Sequence, residues 1–335
     1  MATREQVEEA LGEVLLLEPK RSLVELNMVR DIEVADGQVK VTLALTALSD
    51  AAKEAIQERV HSAIEKLPGV KGAAIDLVEL TPQELNQFGH VIAVMSGKGG
   101  VGKSVVAALL AITLNRQGYQ VGILDADITG PSIPMMFGLK ARPMSSESAL
   151  MPVGTRSGIE VMSLNLLLPH EDDAVIWRGP LLAKAITQFW QDVVWGKVDY
   201  LIVDLPPGTA DIPLTVMQTL SLSGVVIIFT PQDLAAMVVR KAVHMAQNMI
   251  VPIIGVVENM SYFLLPETGK RIDIFGQSKG EEMSQEAGAP LLGQLPIDPE
   301  LARLCDSGEI ERYNSEAFIA FSQALIQAIP APVQP

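Results

Sequence analysis

VIAVMSGKGGVGKSVVAALLAITLNRQGYQVGILDAD, residues Val91 to Asp127, is the stretch from which the architecture of the chain is read. Val91 to Met95 alternates small and β-branched apolar residues, the pattern of a buried strand. Gly97 to Ser104 then spells G-x-x-x-x-G-K-S, a phosphate-binding loop. A backbone that curls around a triphosphate with its N–H groups inward has no room for Cβ atoms, which accounts for Gly97, Gly99, Gly100 and Gly102 with Val101 among them. Lys103 supplies a point charge for the β and γ phosphates, and the Ser104 hydroxyl is placed to ligate Mg²⁺. From Ser104 to about Gln117 the spacing predicts a helix, so the phosphates would sit on a helix N-terminus, whose dipole and unpaired N–H groups favour anions. A glycine-rich turn merely joining strand to helix is the competing reading, and it does not account for strand, loop and helix each falling where the motif needs them.

Lys98, at the start of the loop, is a second lysine that an ordinary phosphate loop does not require. On KGG-V-GKS the chain resembles the deviant Walker A group of dimeric ATPases, which includes the nitrogenase iron protein, MinD, ParA and the Mrp/ApbC proteins. The resemblance implies that Lys98 crosses a two-fold axis to the nucleotide of a partner subunit, making a nucleotide-sandwich homodimer. A solvated loop lysine is the bland alternative.

Beyond the loop, Tyr119 to Asp125 reads as a buried strand, and Asp125 and Asp127 leave its C-terminal end, where ligands bind in open parallel sheets. In the family this resembles, one aspartate supports the Mg²⁺ shell and the other positions the attacking water. Asp125 is assigned the first role and Asp127 the second, with the reverse assignment open. Tyr200 to Asp204 is an apolar strand ending in an acid, the Walker B arrangement for Mg²⁺. Leu205-Pro206-Pro207-Gly208 follows; the prolines stiffen the turn, and Gly208 can bring its N–H to a γ-phosphate and act as a switch with Asp127. Gly224 to Thr230 and Ile253 to Asn259 are further strands, and by resemblance Asn259 reads adenine, its amide offering both a donor and an acceptor. Trp177, Trp190 and Trp195 are expected to pack in cores rather than anchor an interface. His61, His90, His170 and His244 lie far apart and show no metal-ligand spacing. Strand signals alternating with helices predict an α/β fold, a doubly wound, mainly parallel sheet, preceded by a small α+β domain.

That small domain is residues 1–82. Helical spacing from Arg4 to Leu16, two strands flanking Asp36-Gly37, a helix from Ala51 to Lys66 stopped by Pro68-Gly69, and a strand from Ala73 to Leu80 give the order α-β-β-α-β. Together with SLVELNMVRDI and EKLPGV this resembles the small domain of iron–sulfur assembly proteins. Members often carry a cysteine just before the second helix; here the segment reads TALSDAAK, so a docking or packing module is the expectation. Residues 83–90 are a linker, 91–330 the ATPase domain, and 331–335 a flexible tail.

The chain has 335 residues, 48% of them hydrophobic, enough for a large core and more readily two domains than one. No apolar run approaches the ~18 residues of a membrane span, and the acidic, amphipathic start lacks the features of a secretory signal. One cysteine excludes an internal disulfide, which suits a cytoplasmic address. A net charge of −15 and a pI near 4.7 oppose attraction to nucleic acid or an anionic membrane, so neither nucleic acid nor stable membrane association is expected.

Taken together, the motifs place the chain by resemblance among the Mrp/ApbC iron–sulfur cluster carriers, ATPases that hand clusters to apoprotein clients. The expected cofactors are ATP, Mg²⁺ and an iron–sulfur cluster. The family's cluster ligands form a C-x-x-C shortly after the strand bearing Asn259; laid on NMSYFLLPETGKR, the two positions fall on Leu265 and Thr268. Neither is a thiolate, and Cys305 lies elsewhere, in LARLCDSGE, where a thiol acting as a small hydrophobe is the default. Three readings follow: a cluster carrier or assembly ATPase that borrows ligands from a partner or small thiols or uses atypical ones, a cluster-free ATP-dependent scaffold or regulator, and a MinD-like positioning ATPase.

Overall fold

The computed structural model describes residues 2–16, 21–127, 130, 132–146, 149–168, 179–208, 211–232 and 234–332. Trp177 and His170 lie outside them. In chain order the first elements are α1 (Arg4–Gly12), β1 (Val29–Ala35), β2 (Gln38–Leu43), α2 (Asp50–Glu65), β3 (Gly72–Leu77), α3 (Pro82–Leu85), β4 (Gln87–Ser96), α4 (Lys103–Arg116), β5 (Val121–Asp125), α5 (Ile133–Met136), β6 (Val153–Gly154) and β7 (Glu160–Ser163). They are followed by α6 (Gly179–Asp192), β8 (Lys197–Asp204), α7 (Asp211–Thr219), β9 (Gly224–Phe229), α8 (Leu234–Asn248), β10 (Ile253–Glu258), β11 (Phe263–Leu264), β12 (Arg271–Ile272), α9 (Gly280–Ala287), β13 (Leu291–Gln294), α10 (Pro299–Asp306) and α11 (Glu316–Ala328).

The chain forms two compact units, the first comprising Met1–Phe88, Arg142–Gly154 and Gln188–Val198. Its sheet has the order β1-β2-β3, with β1 and β2 antiparallel and β2 and β3 parallel, so α2 is the crossover that parallel pairing requires. Asp36 and Gly37 both have positive φ, the backbone a two-residue hairpin turn needs. Thr3 caps α1 through a reciprocal capping box with Gln6, and Ser49 caps α2. Val7 and Leu11, then Ile56, Val60 and Ile64, recur at helical spacing and bury against Val39, Val41 and Leu43 of β2. The two inserted segments join this unit through polar as well as apolar contacts. The buried Arg21 guanidinium donates to the carbonyls of Trp195 (2.8 Å), Lys197 (2.6 Å) and Glu25 (2.8 Å), and Asn86 Nδ2 donates to Val193 O (2.8 Å). Trp195 is fully buried, and Trp190 stacks on Phe88 with centroids 4.8 Å apart. Residues 83–90, expected as a linker, contain the end of α3 and the start of β4, because the capping box of Thr81 and Glu84 closes a helical turn there.

The second unit comprises Gly89–Ala141, Thr155–Thr187 and Asp199–Pro335. Seven of its strands stand in the order β13-β10-β9-β4-β8-β5-β7. The pairs β13/β10, β10/β9, β9/β4, β8/β5 and β5/β7 are parallel. Chain progression leaves β4 toward β5 and β7, returns through β8, and then crosses to β9 on the other side, so the strand order reverses at β4. Nine consecutive residues of α4, Val106 to Leu114, are buried, as expected of a helix enclosed on all sides. The doubly wound, mainly parallel α/β fold and the separate small α+β fold are therefore as the sequence implies.

Of residues 331–335, expected as a flexible tail, 333–335 lie outside the described residues. Tyr200 Oη donates to Pro330 O (2.8 Å) and His90 Nε2 hydrogen-bonds to Ala331 O (2.6 Å), so the backbone of these residues is held against β8 and β4. Among the described residues no helix is long and apolar enough to cross a membrane.

Candidate functional site

The site lies where β4, β5 and β8 end. β4 is buried from Val91 to Ser96 and runs into the glycine loop, which closes on α4 with Gly102 as its N-cap. Gly100 and Gly102 have φ of +77° and +78°, a region that penalises any side chain. At Gly102 a Cβ would also overlap the amide nitrogen of Asn259. Gly99 is less constrained: a Cβ there would meet Pro207 only at ordinary contact distance, 3.9 Å. The loop borders a cavity of about 320 Å³ whose lining includes Lys98, Gly100, Lys103, Ser104, Asp127 and Pro207.

Lys103 is the hub. Its side chain is 5% exposed, and Nζ lies 2.5 Å from Asp204 Oδ1, 3.5 Å from Asp127 Oδ2 and 3.4 Å from Ser104 Oγ. Asp204 ends β8 fully buried, and its second oxygen, Oδ2, makes no hydrogen bond. Burial pushes its carboxyl above the usual range, an effect that Lys103 and the nearby Ser104 hydroxyl oppose. Asp125 ends β5, accepting from the Asp127 N–H at Oδ1 (3.2 Å) and from Ser163 Oγ at Oδ2 (3.0 Å). Its carboxyl is pushed well above the ordinary range, first by burial and then by the charge of Asp204. Asp204 and Asp127 thus share one ammonium with Asp125 near enough to feel its charge, and carboxyl oxygens beside a serine hydroxyl are donor chemistry for a hard divalent cation. Among the described residues no three or more His, Cys, Asp or Glu side chains are grouped to hold a metal ion by themselves. A cation here would need phosphate oxygens to complete its shell, as Mg²⁺ commonly does.

Other site residues expected from sequence fall around this hub with different freedoms. Asn259, at the end of β10, donates from Nδ2 to Val101 O (2.8 Å), which ties the loop to the neighbouring strand. An amide nitrogen has two hydrogens, so this bond uses one of the two N–H donors of the side chain. The Gly208 N–H, expected to face a phosphate, instead donates to Ser96 O (2.9 Å), because with φ of +94° the turn after β8 folds back on the end of β4. Lys98 lines the cavity and its Nζ donates to Gln232 Oε1. Ser96, Ser163 and Gln232 escaped sequence analysis. Ser163 belongs to a four-residue strand, β7, too short for its periodicity to stand out, and Ser96 and Gln232 carry no motif of their own.

At the positions of the family cysteines, Leu265 and Thr268 stand in the turn of the β11/β12 hairpin, where the Thr268 and Gly269 N–H groups donate to Leu265 O (3.3 and 2.8 Å). Cys305 lies in α10, and burial pushes its thiol up to about 11. The described residues therefore offer no thiolate set for an iron–sulfur cluster.

A phosphate loop at the strand-order reversal of a parallel sheet, with acids at the ends of β8 and β5, the next two strands on one side of it, defines a P-loop nucleoside triphosphatase. The sequence profile of the NUBPL iron-transfer P-loop NTPase matches residues 87–329, and that of an iron–sulfur cluster assembly protein matches residues 4–77. The chain belongs to the NUBPL iron-transfer P-loop NTPase family. A protein of Synechocystis sp. named iron–sulfur cluster carrier protein is 42% identical over 322 residues, covering 92% of this chain and 91% of its own. Its namesake in Deinococcus radiodurans is 42% identical over 304 residues, 89% of this chain and 86% of its own. Among solved structures, the nucleotide-binding protein of Archaeoglobus fulgidus in complex with ADP shares 46% identity over 71% of this chain and 94% of its own, with a TM-score of 0.64. The Pyrococcus furiosus cell division ATPase MinD, 19% identical, shares the fold over 71% of this chain and 99% of its own with a TM-score of 0.50.

Proposed function

We propose that this chain is a cytoplasmic, ATP-binding and ATP-hydrolysing iron–sulfur cluster carrier or assembly factor that works as a homodimer and delivers clusters to apoprotein clients. The observation that carries the ATPase part is the Lys103 hub: one buried ammonium shared by Asp204 and Asp127 on the wall of a cavity bordered by the glycine loop. Membership of the family and the kinship with named carriers over nearly the full length support the carrier part. The ATPase domain is assigned to residues 91–330, and the small domain, residues 1–82, is an accessory docking module.

In this reading the loop N–H groups from Gly97 to Ser104 hold the triphosphate, and Lys103 moves from its carboxylates onto the β and γ phosphates. Mg²⁺, when bound, neutralises phosphate charge and would be held by Ser104, Asp204 and Asp125; the hydrogen-bond-free Asp204 Oδ2 fits that role. Asp127 orients the attacking water, since phosphoryl transfer depends on positioning and charge stabilisation more than on deprotonation. Asn259 reads the base. Lys98 reaches the nucleotide of a second copy, and Gly208 reports hydrolysis by making or breaking its bond to Ser96. Hydrolysis is slow and Mg²⁺-dependent, and it changes how the two copies fit.

The cluster is cargo, and its ligands come from a client or from small thiols, because Leu265, Thr268 and the high-pKa Cys305 do not supply thiolates. That same lack favours a second reading, a cluster-free ATP-dependent scaffold or regulator. Anaerobic reconstitution with iron, sulfide and glutathione, read by absorption and bound iron, decides between them. Bound iron retained through gel filtration supports the carrier; none, with ATPase activity intact, supports the scaffold.

A further inference from the structure

The contact between Lys98 and Gln232 joins residues 134 apart in sequence. Gln232 stands just beyond β9, the strand whose Ile228 is level with Ser96 at the end of β4, so sheet register alone brings the turn after β9 beside the start of the phosphate loop. Pro231, buried ahead of it, restricts that turn. The backbone of Lys98 is fixed too: Ser96 Oγ donates to Lys98 O (2.9 Å), and Ser96 O accepts from Gly208 N (2.9 Å). Gly208, Ser96, Lys98 and Gln232 therefore form one chain of hydrogen bonds running from the turn after Asp204 to the turn before α8.

We propose that Gln232 is a positioning residue that latches Lys98 inside its own chain, so that Lys98 reaches the nucleotide of a second copy only by exchanging this amide for a phosphate. The inference rests on the sandwich-dimer reading given above. Its physical basis is the neutrality of the acceptor. An amide oxygen gives an ammonium one charge-assisted hydrogen bond without an ion pair, whereas a phosphate offers full negative charge, so the exchange runs toward phosphate when a second site is presented. A carboxylate at the same place would compete far better and hold Lys98 back. The latch thus sets how much nucleotide-loaded partner is needed before two copies close.

The test follows dimerisation of the full chain by sedimentation velocity as a non-hydrolysable ATP analogue with Mg²⁺ is held saturating and protein concentration is varied. Gln232→Ala is expected to lower the midpoint about tenfold, the worth of one hydrogen bond to a charged group at a partly exposed site, and Gln232→Glu to raise it by a similar factor. In a Lys98→Ala background neither change should move the midpoint, since the coupling disappears with its partner. A merely structural Gln232 would not shift dimerisation in opposite directions for Ala and Glu. Midpoints equal to wild type in both variants, or the same shifts without Lys98, would overturn the latch while leaving the sandwich intact. A Lys98→Ala protein that dimerises as wild type does would instead remove the sandwich reading, and the latch with it.

Discussion

Lys103 Nζ lies 2.5 Å from Asp204 Oδ1, an ion pair between a lysine 5% exposed and an aspartate with no exposure at all. Lys103→Ala removes the cation that a triphosphate would meet and leaves Asp204 without its partner. Stranding one member of a buried pair costs about 3 kcal/mol, and without Lys103 the burial that raises the Asp204 carboxyl loses its main opposing charge. The variant is expected to lose ATP binding in calorimetric titration and to unfold at lower urea concentration. ATP binding at wild-type affinity would take Lys103 out of the site.

Asp127 differs from Asp204 in lining the cavity while keeping a longer contact to Lys103, 3.5 Å. Asp127→Ala should therefore leave nucleotide affinity within a few-fold of wild type and slow phosphate release about 100-fold, as expected for loss of a positioned water. Single-turnover measurement separates the two effects. Normal turnover would move the water-positioning role elsewhere, with Asp125 the first alternative.

At Gly102, backbone and neighbour act together. Alanine there meets both a φ of +78° and the Asn259 amide, so the loop must open or Asn259 must leave Val101 O. The left-handed conformation alone costs about 1–2 kcal/mol, and nucleotide affinity is expected to fall about tenfold or more. A fluorescent ATP analogue titrated against Gly102→Ala reads this directly. Gly99→Ala, where a Cβ finds ordinary contact, should be the milder change.

Cys305 is expected to be inert near neutral pH. Burial lifts its thiol to about 11 from a usual 9.0, so the neutral form is favoured and the thiolate appears only as pH rises toward 11. At pH 8 the thiolate fraction falls about 100-fold relative to an unperturbed thiol. Iodoacetamide should label the native chain slowly and the urea-unfolded chain fast. Cys305→Ser should leave reconstituted iron unchanged; rapid native labelling or iron loss in the variant would reinstate Cys305 as a ligand.

Much of this site was legible because its signals are local. The glycine spacing, the paired Asp125 and Asp127, and an acid closing the apolar Tyr200–Asp204 run each lie within a few residues, and the structure gathers Lys103, Ser104, Asp127 and Asp204 at one point. Gly208 was read differently because a turn's sequence tells that it bends but not which carbonyl its N–H meets. Ser163 and Gln232 were not legible at all: each matters only through a partner 38 or 134 residues away. Within the small domain, Asp36-Gly37 announced its hairpin, whereas nothing in Gln188–Val198 announced that its carbonyls would receive Arg21.

By itself the sequence determined that a phosphate loop joins a buried strand to a helix, that strands and helices alternate around it, and that the cysteine pair of the family is missing. Those properties follow from side-chain periodicity, from glycines free of Cβ and from residue identity, none of which needs a distant partner. Only the tertiary structure decided that Lys98 is held by Gln232, that the Gly208 N–H is engaged by Ser96, and that Leu265 and Thr268 close a hairpin turn. These depend on which strands lie side by side, and the order β9-β4-β8-β5 is set by burial of many weak apolar contacts over the whole sheet rather than by any one stretch of chain.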